Sequence, residues 1–106
     1  FRSADCRKTE FNRCNLMGLI FSYCDFDDET RFGNSKLQGA LFCNVDLSNT
    51  DITKKQLQTC FGDPSVKLPK GMKRPKHWCK EELELSEIRV PWRAWQKSIG
   101  FDPDAP

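Results

Sequence analysis

Residues 14–26 read CNLMGLIFSYCDF, and their large apolar side chains follow neither common period. Leu16, Phe21 and Phe26 stand five residues apart. A helix brings one face round about every three to four residues, and a strand every two. Stepping outward by five gives Phe1, Cys6, Phe11, Leu16, Phe21 and Phe26. One extra residue falls in the acidic stretch 27–31, after which the series resumes as Phe32, Leu37, Phe42, Leu47, Ile52 and Leu57. A second series lies two residues before these: Ala4, Thr9, Cys14, Leu19, Cys24, Thr30, Ser35, Ala40, Val45 and Thr50, mostly small. The positions between are mostly Asp, Asn, Arg, Lys, Gln, Ser and Gly.

The units CNLMG, CDFDD, SKLQG, ALFCN and VDLSN resemble the A(D/N)LXX unit of pentapeptide-repeat proteins, in one register with a single slip over residues 1–57. The resemblance implies an all-β solenoid, a right-handed quadrilateral β-helix with four pentapeptides per coil. The central residue and the small residue before it would point inward. Residues about 20 apart would then stack, as Phe1/Phe21/Phe42, Cys6/Phe26/Leu47, Phe11/Phe32/Ile52 and Leu16/Leu37/Leu57. Like falls largely on like, so the slip reads as a corner bulge and about three coils result. Thr9, Thr30 and Thr50 fall in one column and are expected to bond to backbone inside the stack. A single coil cannot bury its inward side chains; its neighbours do it. Both ends of such a stack expose backbone edges that invite pairing. A cap is therefore expected at each end, with further sequence or a partner covering the N-terminal one, where the pattern is already running at Phe1.

The chain has 106 residues, with a repeat domain expected over 1–60 and a cap or tail over 61–106. Only 38% is hydrophobic, so burial must be regular, and no apolar run approaches the ~18–20 residues that span a bilayer. The six cysteines contain no CxxC pair and sit in slots of the repeat, which predicts reduced thiols used as small apolar fillers. After Leu57 the pattern stops. Pro64, Pro69 and Pro75 with Gly62 and Gly71 predict turns and extended chain over 61–79. Residues 80–99 predict a short helix near 80–88 and a second from Pro91 to Ser98, with Pro91 in its first turn and Trp92, Trp95 and Ile99 on one face. GFDPDAP then reads as a terminal loop. Leu68, Pro69, Gly71, Arg74, Pro75, His77 and Trp78 resemble the tail that follows the last repeat in many alphaproteobacterial members of the family. That resemblance implies bacterial origin and a Pro-rich, partly helical C-terminal cap.

No GxGxxG, P-loop or HExxH occurs, and His77 is the only histidine. No catalytic, cofactor-binding or metal-ligating residues are expected, and the chain reads as a non-enzyme. Asp27, Asp28 and Glu29 read as a solvated corner. Residues 1–57 hold eight Lys/Arg and eight Asp/Glu, so the repeat is neutral. The best-known members of the family act on DNA gyrase and resemble B-form DNA through an acidic rod; a neutral rod lacks the continuous negative field that such mimicry requires. The tail differs. Lys67, Lys70, Lys73, Arg74, Lys76 and Lys80 lie in fourteen residues without an acid and form a candidate anion-facing surface. With one aromatic and no recognised binding module there, nucleic acid is not the expected partner. Ile20 and Leu41 stack on the outside of one face with Tyr23 and Met17 nearby, a candidate apolar interaction patch, to be covered either by the tail folding back with Trp92 and Trp95 or by a partner or second copy. The expected function is a protein-interaction scaffold, an accessory subunit of a larger bacterial complex. The alternatives are a gyrase-directed DNA mimic and a membrane-surface protein bound through the basic tail. The expected location is the cytoplasm, with association to a membrane complex left open.

Overall fold

The computed structural model describes residues 1–102; the last part of the predicted terminal loop, 103–106, lies outside them. The chain returns alongside itself at a constant interval. Arg2 pairs with Ser22, Asp5 with Asp25, Glu10 with Arg31 and Asn15 with Lys36, all parallel. Strands β1 (Ile20–Ser22) and β2 (Leu41–Cys43) pair in parallel, Phe21 opposite Phe42. Leu41 pairs onward with Phe61, and Asp46 with Lys67. Each partner is 20 or 21 residues away, so the chain forms a parallel stack of successive turns. The interval changes from 20 at Asp5–Asp25 to 21 at Glu10–Arg31, which places the extra residue where the sequence slip predicts it. A second such step, between Phe61 and Lys67, carries the stack past the end of the sequence repeat.

Extended structure is sparser than the repeat suggests, because β1 and β2 are the only named strands among the described residues and the other pairings are single bridges. The backbone explains this. Positive φ recurs at Ser3, Lys8, Arg13, Gly18 and Tyr23, and again at Gly33, Gly39 and Asn44. A left-handed residue about every five turns a corner and leaves only a short extended segment between corners. For residues other than glycine this conformation costs roughly 1–2 kcal/mol, which hydrogen bonds from the next turn help to offset. The Lys8 amide donates to Asp27 Oδ1 (3.0 Å), Gly33 N–H to Asp51 Oδ2 (3.2 Å) and Asn44 N–H to Ser65 Oγ (2.8 Å).

The interior is built from the inward columns. Phe1 stacks on Phe21 with ring centroids 5.0 Å apart, Phe21 on Phe42 at 4.9 Å, and Phe11 on Phe32 at 5.6 Å. Phe11, Phe21, Phe32 and Phe42 share one buried cluster with Cys6, Leu16, Leu37, Leu47, Ile52 and Leu57, whereas Phe1, at the outer end of its column, is 47% exposed. In the second series, Thr30 Oγ1 donates to the Cys6 carbonyl (2.8 Å) and the Ser35 hydroxyl to that of Phe11. Thr9 and Thr50 bond instead to nearby carbonyls in their own turn, those of Arg7 and Leu47. At the bulge, Asp27 Oδ1 accepts from the amides of Lys8 and Glu29, and the Asp27 amide donates to Thr30 Oγ1 (3.1 Å). That carboxylate is therefore a fixed part of the corner.

Two helices depart from the expected layout. α1 (Lys54–Gln58) replaces the last predicted extended unit, yet still delivers Leu57 to the core. Its start is a capping box: the Gln56 amide donates to Thr53 Oγ1 (3.1 Å) and the Thr53 amide to Gln56 Oε1 (2.9 Å). α2 (Leu85–Ser98) is a single helix where two were expected, with Pro91 inside it. Proline leaves the carbonyl four residues back without its helical donor. Here that residue is Glu87, which lies on the exposed side of the helix. The buried residues of α2 are Ile88, Trp92 and Gln96, at intervals of four; Ile99, expected on the buried face, is 48% exposed.

The C-terminal end of the stack is closed by the strap that follows Phe61. Gly62 occupies the step after Phe42 in the Phe1/Phe21/Phe42 column, and the Trp78 indole fills the space left there: a Cβ on Gly62 would lie 2.8 Å from Trp78 Cζ3. Carbonyls of the last turn, which have no further turn to pair with, are met by side chains. Trp78 Nε1 (2.9 Å) and His77 Nε2 (2.6 Å) donate to Cys60 O, and Arg74 Nη2 donates to Val66 O (2.5 Å) and Pro64 O (3.2 Å). Buried Asp63 accepts from Ser65 and, through Oδ2, from the Leu83 amide (3.0 Å), pinning the end of the strap.

Phe21→Ala is expected to cost about 3–5 kcal/mol, because it removes the middle ring of a buried column. Chemical denaturation would measure it, and Phe21→Leu should lose clearly less. Hydrogen bonds from the Lys8 amide, then from Glu29 and Thr30, hold the Asp27 carboxyl below the usual carboxylate range. A depressed folded-state value gives stability that is full above the unfolded value, about 3.9, and is lost as pH falls through the folded one. The melting temperature should therefore fall between pH 5 and pH 3, and Asp27→Asn should flatten that slope.

Candidate interaction surfaces

The apolar residues predicted to share one outer patch are divided by α2. Leu41 is fully buried in a second cluster with Phe61, Ile88 and Trp92, against which Ile20 and Trp95 also pack. This corrects its assignment to an exposed patch. The sequence places Leu41 outside the stack correctly, and the chain's own helix lies on it with Trp92 and Trp95, the cover expected of the tail. Met17 remains half-buried, and Tyr23, at a corner with φ of 54°, projects with 64% of its surface exposed.

The helix is held by one backbone carbonyl. Trp92 Nε1 and Gln96 Nε2 both donate to Gly39 O, each at 2.8 Å. Arg93 braces the pair, with its guanidinium 4.5 Å from the Trp92 ring centroid and its Nη1 donating to Gln96 Oε1 (3.0 Å). Just past the helix, Phe101 lies across Gly18 and Gly39. A Cβ at Gly18 would come within 2.9 Å of its ring, and one at Gly39 within 2.7 Å. Both glycines have positive φ, 73° and 76°, so here the missing side chain serves the corner and the close ring contact together. Trp95 stacks on Phe61 (5.4 Å) and on His77 (5.0 Å, 7° between planes), joining helix to strap. The sequence expectation missed Gln96 and Gly39 as an anchor. The available signal was a pair of glycines one turn apart, Gly18 and Gly39.

The basic segment wraps the end of the stack. Leu68, Met72 and Trp78 pack into the core cluster, whereas Lys67, Lys70, Lys73, Lys76 and Lys80 are exposed. Arg74, predicted to face an anion with them, turns its guanidinium to the Pro64 and Val66 carbonyls and serves the cap. His77 spends Nε2 on Cys60 O and is not directed at Cys79 as a base. All six cysteines are free thiols. Burial, with Cys24 nearby, pushes Cys6 up to about 11; burial also raises Cys43, Cys60 and Cys79, the last helped by Asp63. Those groups are protonated at neutral pH and poor nucleophiles. Among the described residues no group of three or more His, Cys, Asp or Glu is placed to hold a metal, and no helix is long and apolar enough to cross a membrane.

A model of the pentapeptide-repeat family, in 8 copies, matches residues 1–28 and 28–60. The chain belongs to the pentapeptide-repeat family. Comparisons with curated proteins and with solved structures gave no match.

Trp92→Ala is expected to cost about 3–5 kcal/mol and to uncover Leu41 and Ile20. Gln96→Leu, which leaves the Trp92 donor in place, should cost only about 1 kcal/mol. Thermal melts would rank the two, and an apolar-surface dye should brighten with the first variant alone.

Proposed function

We propose that this protein is a non-enzymatic interaction scaffold, and that its parallel stack is a right-handed, four-sided β-helix closed at one end by the strap. The observation that carries the functional reading is Tyr23. It stands on a corner fixed by the backbone, 64% exposed, while Leu41 and Ile20 of the outer apolar patch pack under α2. A large ring held out from a stiff frame loses little freedom on binding, which is how aromatic anchors come to dominate protein interfaces. Half-buried Met17 and the neutral repeat faces fit a protein partner, and an accessory role in a larger bacterial assembly in the cytoplasm follows from that reading.

The rival, a DNA mimic acting on gyrase, is disfavoured by the balance of eight basic and eight acidic residues over 1–57. Several of those acids are also committed to the protein itself. Arg7 holds Asp5 at 2.9 Å, and Asp27 and Asp51 accept backbone amides of the preceding turn.

Affinity purification of the native protein under gentle detergent, followed by mass spectrometry, is expected to recover a stoichiometric protein partner that Tyr23→Arg releases without lowering the melting temperature. A monomer that retains nothing, or a partner indifferent to Tyr23, would count against the scaffold. Altered DNA supercoiling by gyrase at micromolar protein would support the rival.

A further inference from the structure

The two kinds of side chain in the strap part company. Its apolar members turn into the stack: Leu68 and Met72 pack on the core, and Pro75 and Trp78 are buried. Its lysines all turn out. Lys67, Lys70, Lys73, Lys76 and Lys80 are exposed, and no acidic residue lies between Asp63 and Glu81. Asp63 is itself buried and spends its carboxylate on Ser65 and Leu83. The strap at the end of the stack therefore presents five exposed ammonium groups with no carboxylate from their own segment among them, and of the five only Lys67 has an acid of the preceding turn, Asp46, paired beside it. The nearest acids in sequence, exposed Glu81, Glu82 and Glu84, follow where the chain leaves the strap for α2.

The composition of this end selects among anionic partners. Protein interfaces favour Arg and aromatic side chains at their centre and are depleted in Lys. Here the one arginine is turned onto carbonyls and the one tryptophan is buried. Single-stranded nucleic acid needs exposed rings on which bases stack, and base recognition in a duplex relies heavily on forked Arg contacts; this surface offers neither. An anionic bilayer asks only for several cationic point charges on an accessible face, and clusters of about four to eight Lys or Arg serve that purpose. We propose that the C-terminal end of the stack is a docking surface for an anionic lipid bilayer, carried by Lys67, Lys70, Lys73, Lys76 and Lys80. It binds peripherally, through headgroup charge, with the stack standing off the membrane.

The test is co-sedimentation of the full chain with vesicles of phosphatidylcholine alone and with about 30% phosphatidylserine, at about 50 and about 300 mM salt. Binding is expected only to the anionic vesicles, falling at least about tenfold at the higher salt. Lys70→Glu/Lys73→Glu/Lys76→Glu should weaken it on the order of 100-fold with an unchanged melting temperature, and the matching triple change to Arg should retain it. Lys36→Glu/Lys54→Glu/Lys55→Glu alters net charge equally on exposed residues outside the strap and should leave binding nearly intact. Equal binding to neutral vesicles, equal loss in the two Glu triples, or tighter binding to duplex DNA or RNA than to vesicles at the same salt would each overturn the proposal.

Discussion

The structure depends on one constraint: every inward ring must be covered by the turn above or below it. A turn of about 20 residues cannot enclose its own core, so packing is conducted along columns. Phe1, Phe21 and Phe42 satisfy one another in series, and the chain must then finish that series with something other than another repeat. It does so by withdrawing the side chain at Gly62 and bringing in Trp78 from outside the pattern. The backbone follows the same logic. Between turns, carbonyls and amides meet through bridges; at the end, His77, Trp78 and Arg74 donate to carbonyls no further turn can reach.

The repeat was legible in the sequence because each inward position meets nearly the same surroundings and so selects nearly the same residue. The bulge was legible too, since columns matched on both sides of one extra residue. What escaped were places where a local signal competed with the period. Leu57 keeps its column, but the capping pair Thr53 and Gln56 winds the backbone around it into α1. Pro91 reads as a helix start, yet it lies seven residues into α2, where the residue that loses its donor, Glu87, is exposed. The sequence places Ile20 and Leu41 on the outside and expects the tail, with Trp92 and Trp95, to cover them, but the anchor of that cover is not legible in it. That depends on Gly39, whose carbonyl meets side chains 53 and 57 residues further along.

Charge is sorted by use. Much of the acidic complement acts on the backbone: Asp27 and Asp51 hold amides of the preceding turn, Asp46 the Ser48 amide of its own corner, and Asp63 the base of the strap. The strap lysines have no comparable structural duty, apart from Lys80, whose ammonium reaches the Lys76 carbonyl. Carboxylates that hold amides stay ionised, and the eight acids over residues 1–57 are matched there by eight bases. The end of the molecule is more distinctly basic than the net charge of +2 conveys.

Stacks of this kind tend toward one-dimensional behaviour, in which end units can fray while the middle stays intact. Helix α2 works against that. It lies against Ile20, Leu41 and Phe61, which come from successive turns, and the ring of Phe101 just beyond it rests on Gly18 and Gly39 together. It is a splint across the grain of the stack. One turn cannot slip or peel without loosening the splint, and a loosened splint exposes the flank of every turn it crossed. Nearly separable layers are thereby tied into one unit, through the apolar flank that α2 covers and the Gly39 carbonyl that fixes its position.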